Sequence, residues 1–341
     1  MLYGKTRQEV VAKLREAQTE LARGHAAQRT SPRLDDFLRS WLETSVKPNV
    51  RPLTYAGYKV NVEKHLIPTI GKLRLDQLTP QHVQGMINDR LAAGFSTKTT
   101  AYVHQVLRTA LTLGVRWEMV SRNVAKLVDK PRIERKPINP LTPEEARKFL
   151  AAIRGHRLEA LFSVALALGL RQGEALGLRW EDIDFATGTL QVRNQLQRID
   201  KKLTLVPPKT AKSRRTLVMP NLIAEALTDH QKLQVAEEIW AGSRWTETGL
   251  VFANKTGGPT QARHVIEQFH QAFDRAAMRR IRFHDLRHSC ATLLLVQGVS
   301  PRVVMEVLGH SEIALTMNAY SHVVPELQRD AAQRMQAILE R

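Results

Sequence analysis

The sequence predicts a mainly α protein with one small antiparallel β-sheet, an α+β chain built in two parts. Three observations carry this. Between residues 31 and 125, apolar side chains recur at helical spacing in four successive stretches. Residues 126–140, KLVDKPRIERKPINP, hold three prolines and a cluster of basic residues, the composition of an extended linker. Beyond that linker, helical patterns return and enclose short alternating runs between residues 189 and 219.

In order, residues 7–23 repeat Val10, Val11, Leu14, Ala17 and Leu21 near helical spacing and stop at Gly24, so a helix is expected there. The stretch GHAAQRTSPR that follows reads as a linker. Leu34, Phe37, Leu38, Trp41 and Leu42 then form a stripe on one helix face, and a second helix is expected over residues 53–65. Thr79-Pro80 sets a capping residue before a proline at the first helical position, opening a third helix with Val83, Ile87 and Leu91 inward. Ser96 starts a fourth, with Val103, Val106, Leu107, Ala110 and Leu111 as its apolar stripe. The polar faces carry Lys59, Lys64, Lys72, Arg74, Arg90, Lys98 and Arg108, which suits a phosphate-contacting surface.

After the linker, Thr142-Pro143-Glu144-Glu145 forms a capping box with Phe149, Leu150 and Ile153 following on one face. An apolar helix over residues 158–168 ends at Gly169, and the break presents Arg171 at a turn. Residues 189–196, 203–206 and 216–219 are expected to make a three-stranded antiparallel sheet, the last two strands joined by the basic connection PPKTAKSRR. Residues 221–239 and 260–278 return to helix around Gly257-Gly258, and Ser300-Pro301 opens a helix that Gly309 closes.

Composition narrows the function. The 341 residues hold 51 Lys and Arg against 33 Asp and Glu, a formal charge of +18 that would draw a polyanion, so nucleic acid is the expected partner. The longest uncharged apolar run, residues 160–170, is far short of the roughly 20 residues a membrane span needs. No signal peptide is visible. With one cysteine, Cys290, neither a disulfide framework nor a cysteine-based zinc module can be built. The expectation is an intracellular, metal-independent protein.

The stretch from Arg282 to Val323 gathers the side chains that phosphodiester chemistry needs. Attack on phosphorus requires cations on the non-bridging oxygens, an oriented nucleophile and a proton for the leaving oxygen. Arginine offers a permanently charged planar fork, and Arg171 and Arg287 stand at suitable turns or neighbours. His284 and Arg287 share a helix face at i, i+3; His288 at i+4 makes a histidine pair, but with Asp285 where a metalloprotease helix has Glu and no clear third ligand, it reads as structural. His310 follows a helix end, and Tyr320, the only tyrosine after Tyr102, is the one phenol available to this half as a nucleophile. Its unperturbed pKa of about 10 means that it needs cationic neighbours. Lys209 and Lys212 could each supply the proton from the strand connection.

Taken together, GLRQGEALGLRWEDID at 169–184, PPKTAKSRRTLVMP at 207–220, HDLRHS at 284–289, LGHS at 308–311 and NAYSHV at 318–323 resemble the signature boxes of the tyrosine site-specific recombinases, the phage integrase family, in order and spacing over residues 31–325. The resemblance implies that Arg171 and Arg287 clamp the scissile phosphate, His284 and His310 assist proton transfer and phosphate binding, and Tyr320 attacks. It implies Glu174 as a brace for the arginine and Lys209, in the family's Pro-Lys-Thr setting, as general acid. It further implies a core-site-binding helical domain (31–125), a linker (126–140), a catalytic domain (141–325) and a tail helix (326–341) with Leu327, Ala331, Met335 and Ile338 as its stripe. That tail would dock on a neighbouring protomer or pack in its own chain. The two domains would form a C-shaped clamp on double-stranded DNA at core-type crossover sites. Four protomers would exchange strands through a 3′-phosphotyrosine and a Holliday junction with no ATP or metal cofactor, in a bacterial cytoplasm, with a host DNA-bending protein and an excisionase as accessory partners.

One departure stands out: within residues 1–30, expected as a residual arm-binding helix and a linker, YGKTRQEVVAKLREAQTELARG at 3–24 resembles only the last strand and helix of the arm-binding domain of lambda-like integrases, so core-site binding with little specific arm-site binding is expected. A type IB topoisomerase would share the chemistry without site preference. A non-catalytic DNA-binding regulator would share only the charge and the helical domain.

Overall fold

A computed structural model describes residues 6–22, 31–134, 139–208 and 211–309, with residues 332–333, 335–336 and 339–340 near the C-terminus. The chain divides into two compact units, Met1–Arg135 and Lys136–Arg341. No described helix is long and apolar enough to cross a membrane.

The first unit is helical throughout. Helix α1 (Arg7–Ala22) precedes α2 (Leu34–Trp41), which runs on through a wider π-turn at Leu42–Val46. Helix α3 (Pro52–Asn61) passes through a second π-turn, Val62–Leu66, into the short α4 (Ile67–Ile70), so the helix expected to end near residue 65 is longer. Helices α5 (Pro80–Ala92) and α6 (Thr97–Arg116) complete the unit. Thr79 Oγ1 caps α5 by accepting from the His82 N–H, and Ser96 Oγ caps α6 from Thr99. The expected stripes of α2 and α6 form the core with Val62, Leu66, Val83, Met86 and Ile87.

Two expectations for α5 fail, for one geometric reason. Leu91 is exposed and Arg90, expected on the polar face, is buried. Seven residues past Val83 is nearly two whole turns, which returns Arg90 to the inward face; an eighth carries Leu91 about 80° off it. The helical core also reaches beyond α6: a tight 3-10 turn at Val124–Leu127 and Val128 pack on it, and the buried His104 Nε2 donates to the Ala125 carbonyl at 2.8 Å.

In the second unit α7 (Pro143–Ala152) starts from the expected capping box: Thr142 Oγ1 accepts from the Glu145 N–H, and Glu145 accepts from that of Thr142. The apolar helix is α8 (Glu159–Ala167), followed by the single-turn α9 (Gln172–Leu176). Helices α10 (Asn221–Ala241), α11 (Ala262–Arg275), α12 (Phe283–Val296) and α13 (Pro301–Leu308) follow, and the described residues 332–333, 335–336 and 339 are helical as well. The core is aromatic where α7, α8 and α11 meet, with Phe149 stacked on Phe273 at 4.7 Å and edge-on to Phe269 at 5.6 Å.

The sheet differs from expectation. Strands β1 (Ile183–Asp184), β2 (Thr189–Val192) and β5 (Arg215–Val218) form one antiparallel sheet in the order β1-β2-β5, and β3 (Gln195–Ile199) and β4 (Lys202–Val206) form a separate hairpin. The run 189–196 is thus two strands, because pairing switches partner at Arg193-Asn194: Val192 is opposite Arg215, whereas Gln195 is opposite Val206. The switch lays β3 directly on α9. A Cβ on Gly177 would sit 2.7 Å from Gln195 Cα, and one on Gly173 3.0 Å from the Leu196 carbonyl oxygen, so glycine at both positions permits the contact.

Candidate active site

Four separated stretches of the second unit converge on the loop between α8 and α9. The chain leaves α8 at Gly169 with φ +61°, where a Cβ would lie 2.5 Å from Leu308 Cδ2 and 3.3 Å from Cys290 Sγ. Only glycine makes this left-handed turn while α12 and α13 press so closely. Arg171 follows in extended conformation as the residue before α9, so its N–H is free to be capped. Glu174, one turn on, does this: Oε2 accepts from the Arg171 N–H at 3.1 Å and Oε1 accepts from its guanidinium Nη1 at 2.6 Å.

The same carboxylate holds a second guanidinium. Arg215, at the start of β5, donates from Nη2 to Glu174 Oε2 at 3.1 Å, from Nε to the Val307 carbonyl at 2.6 Å and from Nη1 to the Ser213 carbonyl at 3.1 Å. One buried arginine therefore ties the brace of Arg171 to the end of α13 and to the turn Ala211–Ser213 that follows the lysine-bearing connection. The side chains of Glu174 and Arg215 are 2% and 7% exposed, whereas that of Arg171 is 37% exposed. Burial alone would raise the Glu174 pKa, but the guanidiniums of Arg215 and Arg171 outweigh it and hold the carboxyl below its ordinary value. An anion and two cations leave one net positive charge, with the open guanidinium at Arg171.

Helix α12 supplies the other half. Arg287 is almost wholly buried, and its Nη1 and Nη2 donate to the carbonyls of Gly169 at 2.8 Å and Leu308 at 2.6 Å. It thus pins the Arg171 loop and the end of α13 to one guanidinium plane. One turn earlier, His284 presents an exposed ring edge, yet its imidazole is pushed down to about 4. The surrounding protein body is the chief cause, followed by His288 and by the cations of Arg287 and Arg171. The His284 and His288 rings meet edge to face at 4.9 Å, and among the described residues no three His, Cys, Asp or Glu side chains gather as a metal site. Ser289 anchors α12 to the start of the unit, accepting from the Leu141 N–H at 2.8 Å and donating to the Asp285 carbonyl.

Helix α13 ends in a left-handed cap at Gly309, φ +63°, where a Cβ would stand 3.1 Å from the Lys212 carbonyl oxygen and 3.2 Å from Arg215 Cδ. The expected helix end before residue 310 is therefore in contact with the turn after residue 210.

Of the residues singled out from sequence, Arg171, Glu174, His284 and Arg287 are brought together here. Lys209, His310 and Tyr320 lie outside the described residues, as does the tail stripe apart from Met335, which is exposed. Sequence reasoning missed Arg215. Its signal was present: in an alternating strand Arg215 and Leu217 share a face, and Leu217 is buried, so the arginine points inward.

Known proteins resemble this chain over most of its length. The Phage integrase family pattern matches residues 139–326, and that of the phage integrase N-terminal SAM-like domain matches residues 33–91. The chain is 31% identical to a "Tyrosine recombinase XerC-like" protein of Caldanaerobacter subterraneus subsp. tengcongensis, over 98% of this chain and 90% of that one. It is 28% identical to an integrase of Saccharopolyspora erythraea, over 97% of this chain and 88% of the other. Among solved structures, the Tn1549 transposon integrase in complex with transposon right end DNA superposes with a TM-score of 0.77 at 21% identity, covering 89% of this chain and all of that one. A lambda integrase tetramer bound to a Holliday junction gives a TM-score of 0.61 at 17% identity, covering 94% of this chain and 88% of that one.

Proposed function

Because the chain belongs to the phage integrase family and is a tyrosine recombinase, we propose that it cleaves and rejoins DNA at specific sites through a 3′-phosphotyrosine intermediate. In this reading the Tyr320 phenolate attacks the scissile phosphorus, the P–O5′ bond breaks, and Lys209 donates a proton to the leaving 5′ oxygen. Arg171 and Arg287 carry the charge that builds on the non-bridging oxygens. Two donors of Arg287 are committed to main-chain carbonyls, which hold its guanidinium in a fixed plane. His284 would be neutral before DNA binds, given its depressed pKa, and a neighbouring phosphate would raise it so that it can share a proton with His310 and the reacting oxygens. The exchange conserves phosphodiester energy, so no nucleotide is consumed.

The observation that carries the reading is the double tether: Arg215 and Arg287 each reach a main-chain carbonyl at the end of α13, while Arg287 bonds the Arg171 loop and Arg215 bonds the Glu174 brace. Such rigid support is what a preorganised phosphate clamp needs.

Residues 31–125 would bind core-type crossover sites, with the linker, expected over 126–140 but beginning only after Val128 because that residue packs in the helical core, letting them and the catalytic domain, 141–325, close on a duplex as a C-shaped clamp. The tail, 326–341, would dock on a neighbouring protomer. Four protomers would exchange strands through a Holliday junction in the bacterial cytoplasm, with a host DNA-bending protein and an excisionase setting the direction. The test is a nicked suicide duplex selected by the protein from random sequence. A covalent complex that withstands EDTA and is lost in Tyr320→Phe is expected; a complex that persists in that variant would refute the assignment of the nucleophile.

A further inference from the structure

The first unit contains a charged side chain that the fold itself does not use. Arg90 is 4% exposed, and among the described residues its Nε and Nη2, both sealed from solvent, have no hydrogen-bond partner. No salt bridge to Arg90 occurs among the described residues either, although Arg39, Arg33 and Lys47 of the same unit each hold a carboxylate. A guanidinium with two of its three nitrogens sealed from water and without a counter-charge destabilises its fold, and an apolar side chain of the same length would remove that cost.

The surroundings of Arg90 suggest what it is held for. Its guanidinium lies over the Phe95 ring at 4.3 Å from the centroid, and the edge of His65 meets the same ring at 5.5 Å. Phe95 is 42% exposed, so the cation sits one aromatic ring below the surface. Directly after Phe95 comes the first turn of the twenty-residue α6, the positive end of a long helix, with Ser96 as cap and Lys98 exposed. Lys64, next to His65, is exposed as well. The cation of Arg90, the ammonium groups of Lys64 and Lys98 and the helix N-terminus each favour an anion, and among the described residues no salt bridge to Arg90, Lys64 or Lys98 occurs.

We propose that Arg90, held beneath Phe95 beside the first turn of α6, supplies the buried positive charge for a backbone phosphate of the bound duplex that docks on that turn. The site is completed only by the nucleic acid. Its rotamer is set in advance by the ring, so little side-chain freedom remains to be lost on binding. His65 adds a proton-linked component: burial and Arg90 hold its imidazole below the ordinary value, and an arriving phosphate would draw a proton onto it. The inference rests on the reading that this unit binds DNA, and deepens it by naming a phosphate contact that is independent of sequence.

The test measures binding of a mixed-sequence duplex to the full-length chain by fluorescence anisotropy across a salt series. Arg90→Met should unfold at the same or higher denaturant concentration than the parent. It should bind about three- to tenfold more weakly, with a log-log salt slope shallower by about 0.9, the share of one phosphate on B-DNA. Phe95→Ala removes only an exposed ring and keeps the charge, so the slope should stay while affinity falls; this variant carries the test if Arg90→Met does not fold. Parental affinity and slope in a folded Arg90→Met chain, or parental affinity in Phe95→Ala, would overturn the proposal and leave Arg90 as a packing residue. A parent chain that binds no duplex at all would instead overturn the underlying reading.

Discussion

Glu174→Gln is the most informative single change in the catalytic unit, because one carboxylate there neutralises two guanidiniums. Its oxygens accept at 2.6 Å from Arg171 and at 3.1 Å from Arg215, and its side chain is 2% exposed. Glutamine keeps the volume but offers one acceptor and one NH2 group. Whichever arginine the oxygen serves, the NH2 group faces the other, donor against donor. Arg171 can turn to water; Arg215, at 7% exposure, cannot. Breaking a buried pair by removing one partner typically costs about 3–5 kcal/mol. Arg215 retains its bonds to the Val307 and Ser213 carbonyls, which places the expected loss near the lower end, about 3 kcal/mol. For a unit of this size each kcal/mol moves the melting point by about 2–4 °C, so calorimetry should show the catalytic transition falling by about 6–12 °C. Arg215→Met combined with Glu174→Gln removes the stranded charge and should recover part of that loss. A single variant that loses less than about 1 kcal/mol, or a double variant no more stable than the single, would show that Arg215 does not depend on this carboxylate.

Two further outcomes are expected. Gly169→Ala should destabilise the catalytic unit and slow DNA cleavage together, since a methyl at φ +61° would meet Leu308 at 2.5 Å and displace the loop that carries Arg171; unchanged single-turnover cleavage would contradict this. Acidification should weaken the fold in two stages, followed by denaturant unfolding at each pH. His284, His288 and His230 have depressed pKa values, so they stay neutral in the fold while the unfolded chain takes up protons below about 6.5, and stability falls from there towards the His284 value of about 4. Glu174, also depressed, contributes stability above the ordinary carboxylate range that is lost as pH falls through its folded value. A flat profile between pH 7 and 4 would refute the histidine assignments, and the absence of a further loss below the ordinary carboxylate range would refute that of Glu174.

Much of the fold was legible because it follows from periodicity and capping, which are local. The stripes of α2 and α6 and the caps at Thr79, Ser96, Thr142 and Ser300 need only a few neighbouring residues to be read. The sheet was not, because the alternation of residues 189–196 says that strand is present and nothing about its partners. The switch at Arg193-Asn194 depends on Gly173 and Gly177 letting α9 approach β3, a contact between distant segments. Arg90 shows the same limit at one residue: a charge was assigned to the polar face by its chemistry, whereas two helical turns from Val83 place it inward.

The site divides along a related line. Arg171, Glu174, His284 and Arg287 were recognisable from residue type and spacing, but their duties in the folded chain are unequal. Arg287 spends Nη1 and Nη2 on the carbonyls of Gly169 and Leu308, and Arg215 spends donors on Val307 and Ser213, so both arginines shape the site from within. Arg171, braced by a carboxylate and 37% exposed, is the guanidinium left open to a substrate. A motif gives the residue types that phosphate chemistry requires and cannot say which cation is committed to the scaffold, since that is decided by burial and by carbonyls of distant segments, such as Gly169 for Arg287 and Val307 for Arg215. If this division is right, Arg171→Lys should impair phosphate engagement with little change in the stability of the unit, and Arg287→Lys should impair both.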